Sequence, residues 1–446
     1  MAATATFDTR RMQLQSRVAE ARSRTDELFG IVRPEAIYDR PIPERHRIIF
    51  YLGHLETFDW NLLAQRVFGL AGFHPAFDRL FAFGIDPVSG GLPDDQPRDW
   101  PARAEIEAYN NRLREALDAA IEQWSHAPSS GHPQTSLLLE VAIEHRLMHA
   151  ETLAYMLHQL PPERKELKRK VDQPARPAAS VRRIRPNTVQ VPEGPATLGL
   201  RRAPGAFGWD NEFEAHTVDV PAFGMDAFPV TNGEFLKFVQ SGGYRNRSLW
   251  RDEDWTWIEA RQIQHPVFWL RNGNLWMVRG MFAEIRLPLD WPVYVSHAEA
   301  SAYARWLGKS LPTEAQFHRA AYGAPDGRER SYPWGEEPPA ARHGNFDFQR
   351  WDPAPVGAHP AGASAFGVED LLGNGWEWTR TVFQPFEGFR PLAFYPGYSA
   401  DFFDGQHFVM KGGSARTAAC MLRRSFRNWF QPHYRYAYAG FRCVQE

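Results

Sequence analysis

The stretch QTSLLLEVAIEHRLMHAETLAYMLHQL (134–160) has apolar side chains at helical spacing along its length and is ended by Pro161-Pro162. Three earlier segments have the same character: 11–32, 44–70 after Pro43, and 101–124 with Pro101 at its first turn. Four helices with a long second connection predict an antiparallel four-helix bundle over residues 8–160.

The sequence HRLMHAE places His145 and His149 four residues apart within the fourth helix. On a helix this spacing puts both imidazoles on one face, where they can bind one metal ion together. His54, in an apolar stretch of the second helix, is a third candidate ligand. Glu56 and Glu151 are further candidates, either as ligands or as hydrogen-bond partners that orient an imidazole. The residue types leave open whether the metal is zinc for hydrolysis or thiol transfer, or Fe(II) for oxygen chemistry.

Composition excludes several classes of function. The 446 residues predict two to four domains, and 51 basic against 53 acidic residues give a formal net charge of -2. This is not the basic surface of a general nucleic-acid binder. No apolar run is long enough to span a bilayer, and the N-terminus lacks the apolar core of a signal peptide. Two cysteines, Cys420 and Cys443, cannot form a disulfide framework and are expected to be small buried residues. We therefore expect a cytoplasmic protein without nucleic-acid or membrane partners.

The chain changes character after the bundle. Residues 161–188 are rich in proline, lysine and arginine and are predicted to be an inter-domain linker rather than an anion-binding patch. From residue 189 to 446, short β-rich segments alternate with Gly, Pro, Asn and Asp turns, which predicts an α+β domain. Only two helices are expected there, over 231–242 and 297–308.

Motifs in the second half resemble the formylglycine-generating-enzyme (sulfatase-modifying-factor) family, whose fold is C-type-lectin-like. They include YPWG, GVEDLLGNGWEWT, VMKGGSA and the closing AGFRC, in the order of that family. Enzymes that make formylglycine have a closely spaced, copper-binding cysteine pair near the C-terminus. Cys420 and Cys443 are 23 positions apart, which argues against formylglycine synthesis.

The whole chain resembles the ergothioneine-biosynthesis sulfoxide synthases, which join a DinB-like helical bundle to such a domain. The third histidine ahead of HxxxHxE and the sequence AFGWDNE (206–212) carry this resemblance. It implies a non-heme Fe(II) enzyme that uses O2 to join a sulfur donor to the imidazole carbon of hercynine (N-α-trimethylhistidine). By the same resemblance, the active site is expected between the two domains.

The resemblance also implies roles for individual residues. His54, His145 and His149 would bind the iron, and Tyr395 would donate a proton or hydrogen atom. The residues expected to bind hercynine are Tyr398, Asn428 and Trp429. An aromatic face attracts a quaternary ammonium group, which agrees with the proposed place of Trp429.

The chain departs from that family where the donor binds. Phe430 replaces an acidic residue that reads the amino group of γ-glutamylcysteine, and Met148 replaces a glutamine near the imidazole substrate. The arginine that grips the donor's carboxylate has no counterpart in FGIDPVSGGLPDD (83–95). An unpaired buried charge is costly, so we expect a donor other than γ-glutamylcysteine.

These departures, with the context FYLGHLETFDWN around His54, resemble the selenoneine synthase branch. The sequence-based prediction is therefore an enzyme that forms a carbon–selenium bond between hercynine and a selenosugar. The alternative is a sulfoxide synthase using cysteine or γ-glutamylcysteine. A metal-dependent thiol S-transferase, active with zinc or nickel and without O2, and a non-catalytic binding module are further alternatives.

Overall fold

The computed structural model describes residues 2–82, 93–127, 132, 134–166, 187–203 and 205–446. It comprises two compact units, Met1–Val171 and Asp172–Glu446. Most of the predicted linker (161–188) and of the segment 83–95 lies outside the described residues. The linker assignment and the comparison of the donor-binding segment therefore stay predictions.

The first unit is helical. Its helices are α1 (Ala2–Phe29), α2 (Ile48–Leu63), α3 (Pro75–Leu80), α4 (Arg103–His126) and α5 (Thr135–Gln159). Helices α1 and α2 each pack against both α4 and α5, which confirms the predicted bundle. Helix α5 is buried around most of its circumference, as expected for an element at the centre of a helical core.

The bundle helices differ from the predicted segments at their ends. Helix α2 begins at Ile48 rather than at residue 44, and after Leu63 it continues as a π-helical turn that ends at Gly69, whose φ is 65°. A left-handed residue of this kind ends a helix, and glycine adopts it without strain. Pro101 precedes α4 by two residues instead of lying in its first turn.

The second unit is α+β. Its strands are β1 (Thr188–Val191), β2 (Gly194–Leu198), β3 (His216–Val220), β4 (Phe223–Asp226), β5 (Trp269–Asn272), β6 (Leu275–Arg279), β7 (Glu284–Arg286), β8 (Gly375–Val382), β9 (Phe408–Gly413), β10 (Asn428–Phe430), β11 (Ala439–Gly440) and β12 (Val444–Gln445). They form four small sheets, with orders β1-β4-β12, β10-β9-β8-β11, β2-β3 and β5-β6-β7. Long loops connect them, which agrees with the predicted turn-rich domain.

The second unit contains more helix than predicted. Helices α6 (Asn232–Gln240) and α8 (His297–Trp306) match the two predicted segments, but α7 (Asp252–Arg261) and α9 (Glu314–Tyr322) are additional. The expectation of only two helices was therefore wrong. Helix α9 has a capping box between Thr313 and Gln316, a signal that is visible in the sequence as TEAQ. Helix α7 begins with three acidic residues in its first turn, which favours a helix N-terminus.

Two further expectations from the sequence concerned the cysteines and membrane-spanning segments. Cys443 is buried but Cys420 is exposed, so the expectation of burial was wrong for Cys420. It lies in a short 3-10 turn, Ala419–Met421, in which Met421 is the buried residue. Among the described residues, none of the helices is both long and apolar enough to cross a membrane.

Candidate metal centre

Three histidines of the first unit converge between α2 and α5. His54, His145 and His149 each offer a ring nitrogen, and these nitrogens all lie within 4.8 Å of one another. All three side chains are buried. The i, i+4 spacing on α5 places two imidazoles on the face that meets α2, and α2 supplies the third. The structure thus brings together the three ligands that the sequence predicted, while metal binding itself stays a prediction.

The hydrogen bonding of these imidazoles fits a metal ion. His54 Nδ1 lies 2.7 Å from the backbone oxygen of Phe81, so Nδ1–H donates there and Nε2 is left as a potential ligand atom. Among the described residues, His54 Nε2, both ring nitrogens of His145 and His149 Nδ1 have no hydrogen-bond partner although they are buried. Buried polar atoms are rarely left unsatisfied, so this cluster has the character of a ligand set.

The protonation state is also that of a ligand set. Burial lowers the pKa of His54 to about 4, despite the opposing hydrogen bond to Phe81. Burial, together with the neighbouring histidines, lowers the pKa of His145 and His149 well below the ordinary value. The imidazoles are neutral at pH 7, and neutral imidazole is the form that binds Zn(II) or Fe(II).

Aromatic rings surround the cluster. Phe58 stacks on His145 with 3.4 Å between ring centroids, and Phe50 stacks on His54 at 4.9 Å. The Tyr51 ring lies 5.6 Å from that of His149. Phe50 and Phe58 come four residues before and after His54. Residues four apart lie on the same face of a helix, so both rings lie on the face of α2 that carries His54.

The sequence did not identify the contact that orients His54. An added Cβ at Gly53 would lie 2.6 Å from the ring of Phe81, so only glycine lets this ring approach α2. The ring is fully buried and also stacks on Trp100. This close approach brings the Phe81 carbonyl to His54. A glycine directly before a candidate ligand is the sequence signal that could have predicted the contact.

Glu56, left open as a ligand or an orienting partner, is engaged elsewhere. Its carboxylate binds Arg146 at 2.8 Å and Arg114 at 2.6 Å. Burial raises the pKa of Glu56, but these two arginines outweigh burial and hold the pKa at about 2. Arg146 also binds Asp59 at 2.6 Å and the backbone oxygen of Leu55 at 2.9 Å.

The two other first-unit candidates lie on α5. Glu151 is buried, yet it is not part of the converging set of ligand atoms found in the described residues. Met148 is half-buried, between the two histidines in sequence. Its proposed contact with a substrate stays a prediction.

The candidate substrate residues of the second unit form an aromatic cluster. The ring centroid of Tyr398 lies 5.6 Å from that of Tyr395 and 5.6 Å from that of Trp429. Trp429 also stacks on Phe383 at 4.2 Å. Sequence reasoning missed one member, Trp209 of AFGWDNE, which stacks on Tyr398 at 4.0 Å.

Asn428 and Phe430 flank Trp429 on strand β10, which pairs with β9. Because side chains alternate along a strand, both project to the face opposite Trp429. Phe430 stacks on Tyr434, with 4.5 Å between ring centroids. The structure therefore brings Tyr395, Tyr398 and Trp429 together and places Phe430 in a separate aromatic pair.

Comparison with protein families assigns both halves of the chain. The model described as the sulfatase-modifying factor enzyme 1-like domain matches residues 174–446, and that of the DinB superfamily matches residues 17–153. These matches confirm the predicted combination of a DinB-like bundle and a sulfatase-modifying-factor domain.

Curated relatives give the same assignment. A protein named hercynine oxygenase from Mycobacterium tuberculosis is 43% identical over 250 residues, 55% of this chain and 58% of that protein. Ergothioneine biosynthesis protein 1 of Neurospora crassa is 28% identical over 498 residues, 92% of this chain and 55% of its own length. The chain thus spans little more than half the length of these two relatives.

Another relative matches both proteins over most of their length. The hercynine oxygenase of Mycolicibacterium smegmatis is 38% identical over 382 residues, which cover 83% of this chain and 83% of that protein. Since this match covers both of the domains assigned above, the chain belongs to the hercynine oxygenase family.

Proposed function

We propose that this protein is a non-heme Fe(II) enzyme that uses O2 to join a sulfur donor to the imidazole carbon of hercynine. The observation that carries the proposal is the buried set of His54, His145 and His149, whose free ring nitrogens lie within 4.8 Å of one another. Three neutral imidazoles leave other positions of the metal open for substrates. The names of the relatives favour hercynine as the acceptor.

The proposed reaction balances as follows. A C–H bond of hercynine and the S–H bond of the donor break, and a C–S bond and an S–O bond form. O2 receives four electrons, and its atoms enter the sulfoxide and one water molecule. Iron, when bound, supplies the activation of O2.

The side chains of this chain would bind and orient the substrates. Trp429 and Tyr398 present aromatic faces to the trimethylammonium group of hercynine, since such faces attract quaternary ammonium ions. Asn428 projects from the other face of β10, so its contact with hercynine stays a prediction from the sequence resemblance. Tyr395, 5.6 Å from Tyr398 between ring centroids, would supply the proton or hydrogen atom. The aromatic neighbours of the histidines would exclude water from the iron.

A selenosugar donor is the second candidate, and it leads to selenoneine instead. The observation that favours it is Phe430, which pairs with the ring of Tyr434 and offers no charge to an amino acid. The relatives' names instead favour the sulfur reaction of ergothioneine biosynthesis. We therefore give C–S bond formation as the main proposal and test the selenium reaction beside it.

The deciding experiment is a competition assay with the anaerobically Fe(II)-loaded protein. It contains hercynine with cysteine, γ-glutamylcysteine and a selenosugar, is started with O2 and is analysed by mass spectrometry. A sulfoxide of hercynine supports the main proposal, whereas a selenium isotope pattern supports the second candidate. Turnover of a thiol with zinc or nickel in the absence of O2 would instead identify a thiol S-transferase. The variant His145→Ala, which lacks one proposed ligand, is the control without iron.

A further inference from the structure

We propose that Asp210 and Trp209 of the AFGWDNE segment form a latch that positions the loop 392–399, here called the tyrosine loop. The tyrosine loop carries Tyr395 and Tyr398. The latch makes Asp210 a positioning residue rather than a catalytic one. The functional consequence rests on the roles given above to the two tyrosines, but the contacts of the latch stand independently of them.

The tyrosine loop has little structure of its own. Its backbone forms two successive turns, with Tyr395 N–H donating to the oxygen of Leu392 at 3.0 Å and Tyr398 N–H to the oxygen of Tyr395 at 3.2 Å. It belongs to none of the helices or named strands of the described chain. Such a loop keeps one conformation only when contacts from elsewhere hold it.

Those contacts converge at its C-terminal end. Ser399 is fully buried, with an exposed fraction of 0%, whereas the other residues of 391–400 are at least partly exposed. Its hydroxyl donates a hydrogen bond to the carboxylate of Asp210, which is itself 1% exposed. Next to this bond, the ring of Trp209 stacks on that of Tyr398 at 4.0 Å and 22°. The two adjacent residues thus hold two adjacent residues of the tyrosine loop.

The electrostatics of Asp210 agree with this role. Burial raises the pKa of its carboxyl, and the Ser399 hydroxyl and the backbone of Leu392 and Asn211 act against that rise. The hydrogen bond from Ser399 goes to Oδ1 of this carboxylate, and Oδ2 is buried without a hydrogen-bond partner in the described part of the chain. A buried carboxylate that loses a partner is destabilised, so Asp210 and Ser399 depend on each other.

The latch is fixed on its other side to the segment that carries Asn428 and Trp429. Glu212 closes the turn on the backbone N–H of Trp209 at 2.8 Å and binds Arg423 and Ser425 at 2.8 and 2.6 Å. Arg427 donates to the backbone oxygen of Asn211 at 3.3 Å. One short turn thus connects the tyrosine loop to the segment that ends in Trp429, and sets the distance between their rings.

The first test uses hydrogen–deuterium exchange on the full-length protein, read from peptides that cover residues 392–399. The variants are Ser399→Ala, Asp210→Ala and Asp210→Asn, and the control is Asp219→Asn, an exposed carboxylate on β3 outside the tyrosine loop. We expect exchange in these peptides to rise about tenfold in Ser399→Ala and Asp210→Ala and to stay unchanged in the control. Asp210→Asn keeps an oxygen acceptor for Ser399 and should show a smaller rise. Unchanged exchange in folded Ser399→Ala would overturn the latch.

The second test measures steady-state kinetics with hercynine at equal iron content. If the latch positions the tyrosines, Ser399→Ala raises KM for hercynine and lowers kcat, each by about tenfold. A purely structural role would reduce the folded fraction and leave KM unchanged, which would overturn the positioning role. If the wild-type protein does not convert hercynine but exchange still rises in the variants, the proposed function fails and the latch stands.

Discussion

At the scale of single residues, the absence of a side chain at Gly53 determines how the candidate metal ligand His54 is oriented. Its Cα approaches the ring of Phe81 so closely that an alanine Cβ would lie 2.6 Å from it. The Phe81 ring is fully buried against Trp100 and cannot easily move. We expect Gly53→Ala to displace the Phe81 carbonyl from His54 Nδ1 and to weaken metal binding by about 10- to 100-fold.

The measurement is a competition titration of Fe(II) or Co(II) against a chromophoric chelator. Gly72→Ala is the matched control, because an added Cβ there meets no atom nearer than 3.4 Å. Equal affinity in Gly53→Ala and in the wild-type protein would show that the Phe81 carbonyl does not orient His54.

His297 is a buried imidazole outside the metal centre that makes stability depend on pH. It stacks on Phe408 at 3.8 Å, and burial, helped by Arg251, lowers its pKa to about 3, with Asp254 acting in the opposite direction. The folded protein therefore binds fewer protons at this residue than the unfolded chain does. Its contribution is complete above the unfolded pKa of about 6.5 and is lost as pH falls towards 3.

The prediction is tested with His297→Phe, which keeps an aromatic ring and has no proton to bind. Between pH 7.5 and 4.5, we expect the wild-type free energy of unfolding to fall by about 3 kcal/mol more than that of the variant. Urea denaturation of the metal-free proteins at both pH values measures this difference. Parallel pH profiles would show that His297 is not buried in its neutral form.

At the scale of elements, a buried charge network fixes α2 against α5. Arg146 of α5 binds Glu56 and Asp59 of α2 and is 1% exposed. Arg146 directly follows His145 on α5, and Glu56 comes two residues after His54 on α2. The same network therefore fixes the position of His145 relative to His54. We expect Arg146→Met to destabilise the protein by about 3–5 kcal/mol, since two carboxylates are left without their shared cation.

Chemical denaturation, with metal affinity measured in parallel, tests this expectation. Arg114→Met is the comparison, because the side chain of Arg114 is 29% exposed and binds Glu56 from the solvent side. Arg114→Met should destabilise the protein less than Arg146→Met does and should leave the positions of the three histidines unchanged. A larger loss of metal affinity in Arg114→Met than in Arg146→Met would contradict the proposed role of the network.

The elements that the sequence predicted are those with local signals. The periodicity of 134–160 predicted α5, and the spacing of His145 and His149 predicted their common face, because both depend on one helix alone. The contacts that complete each site were not predictable in this way. Asp210 and Ser399 are 189 positions apart, and no periodicity relates residues in two separate loops.

At the scale of the whole molecule, the proposed function divides the reaction between the units. The first unit holds the candidate iron ligands, and the second holds Tyr395 with the aromatic cluster. Removing the phenol hydroxyl in Tyr395→Phe should therefore lower kcat roughly 100-fold or more and leave iron content unchanged, since a proton donor of this kind contributes about that factor. His145→Ala should instead lose iron and all activity together.

Iron content by metal analysis and turnover of hercynine by mass spectrometry, both measured on full-length variants, separate these effects. A thiol S-transferase working only through the first unit would lose nothing in Tyr395→Phe and would stay active with zinc. Wild-type activity in Tyr395→Phe would therefore contradict the role of the second unit. Loss of activity with full iron content would instead place the proton-donating step in the second unit and metal binding in the first.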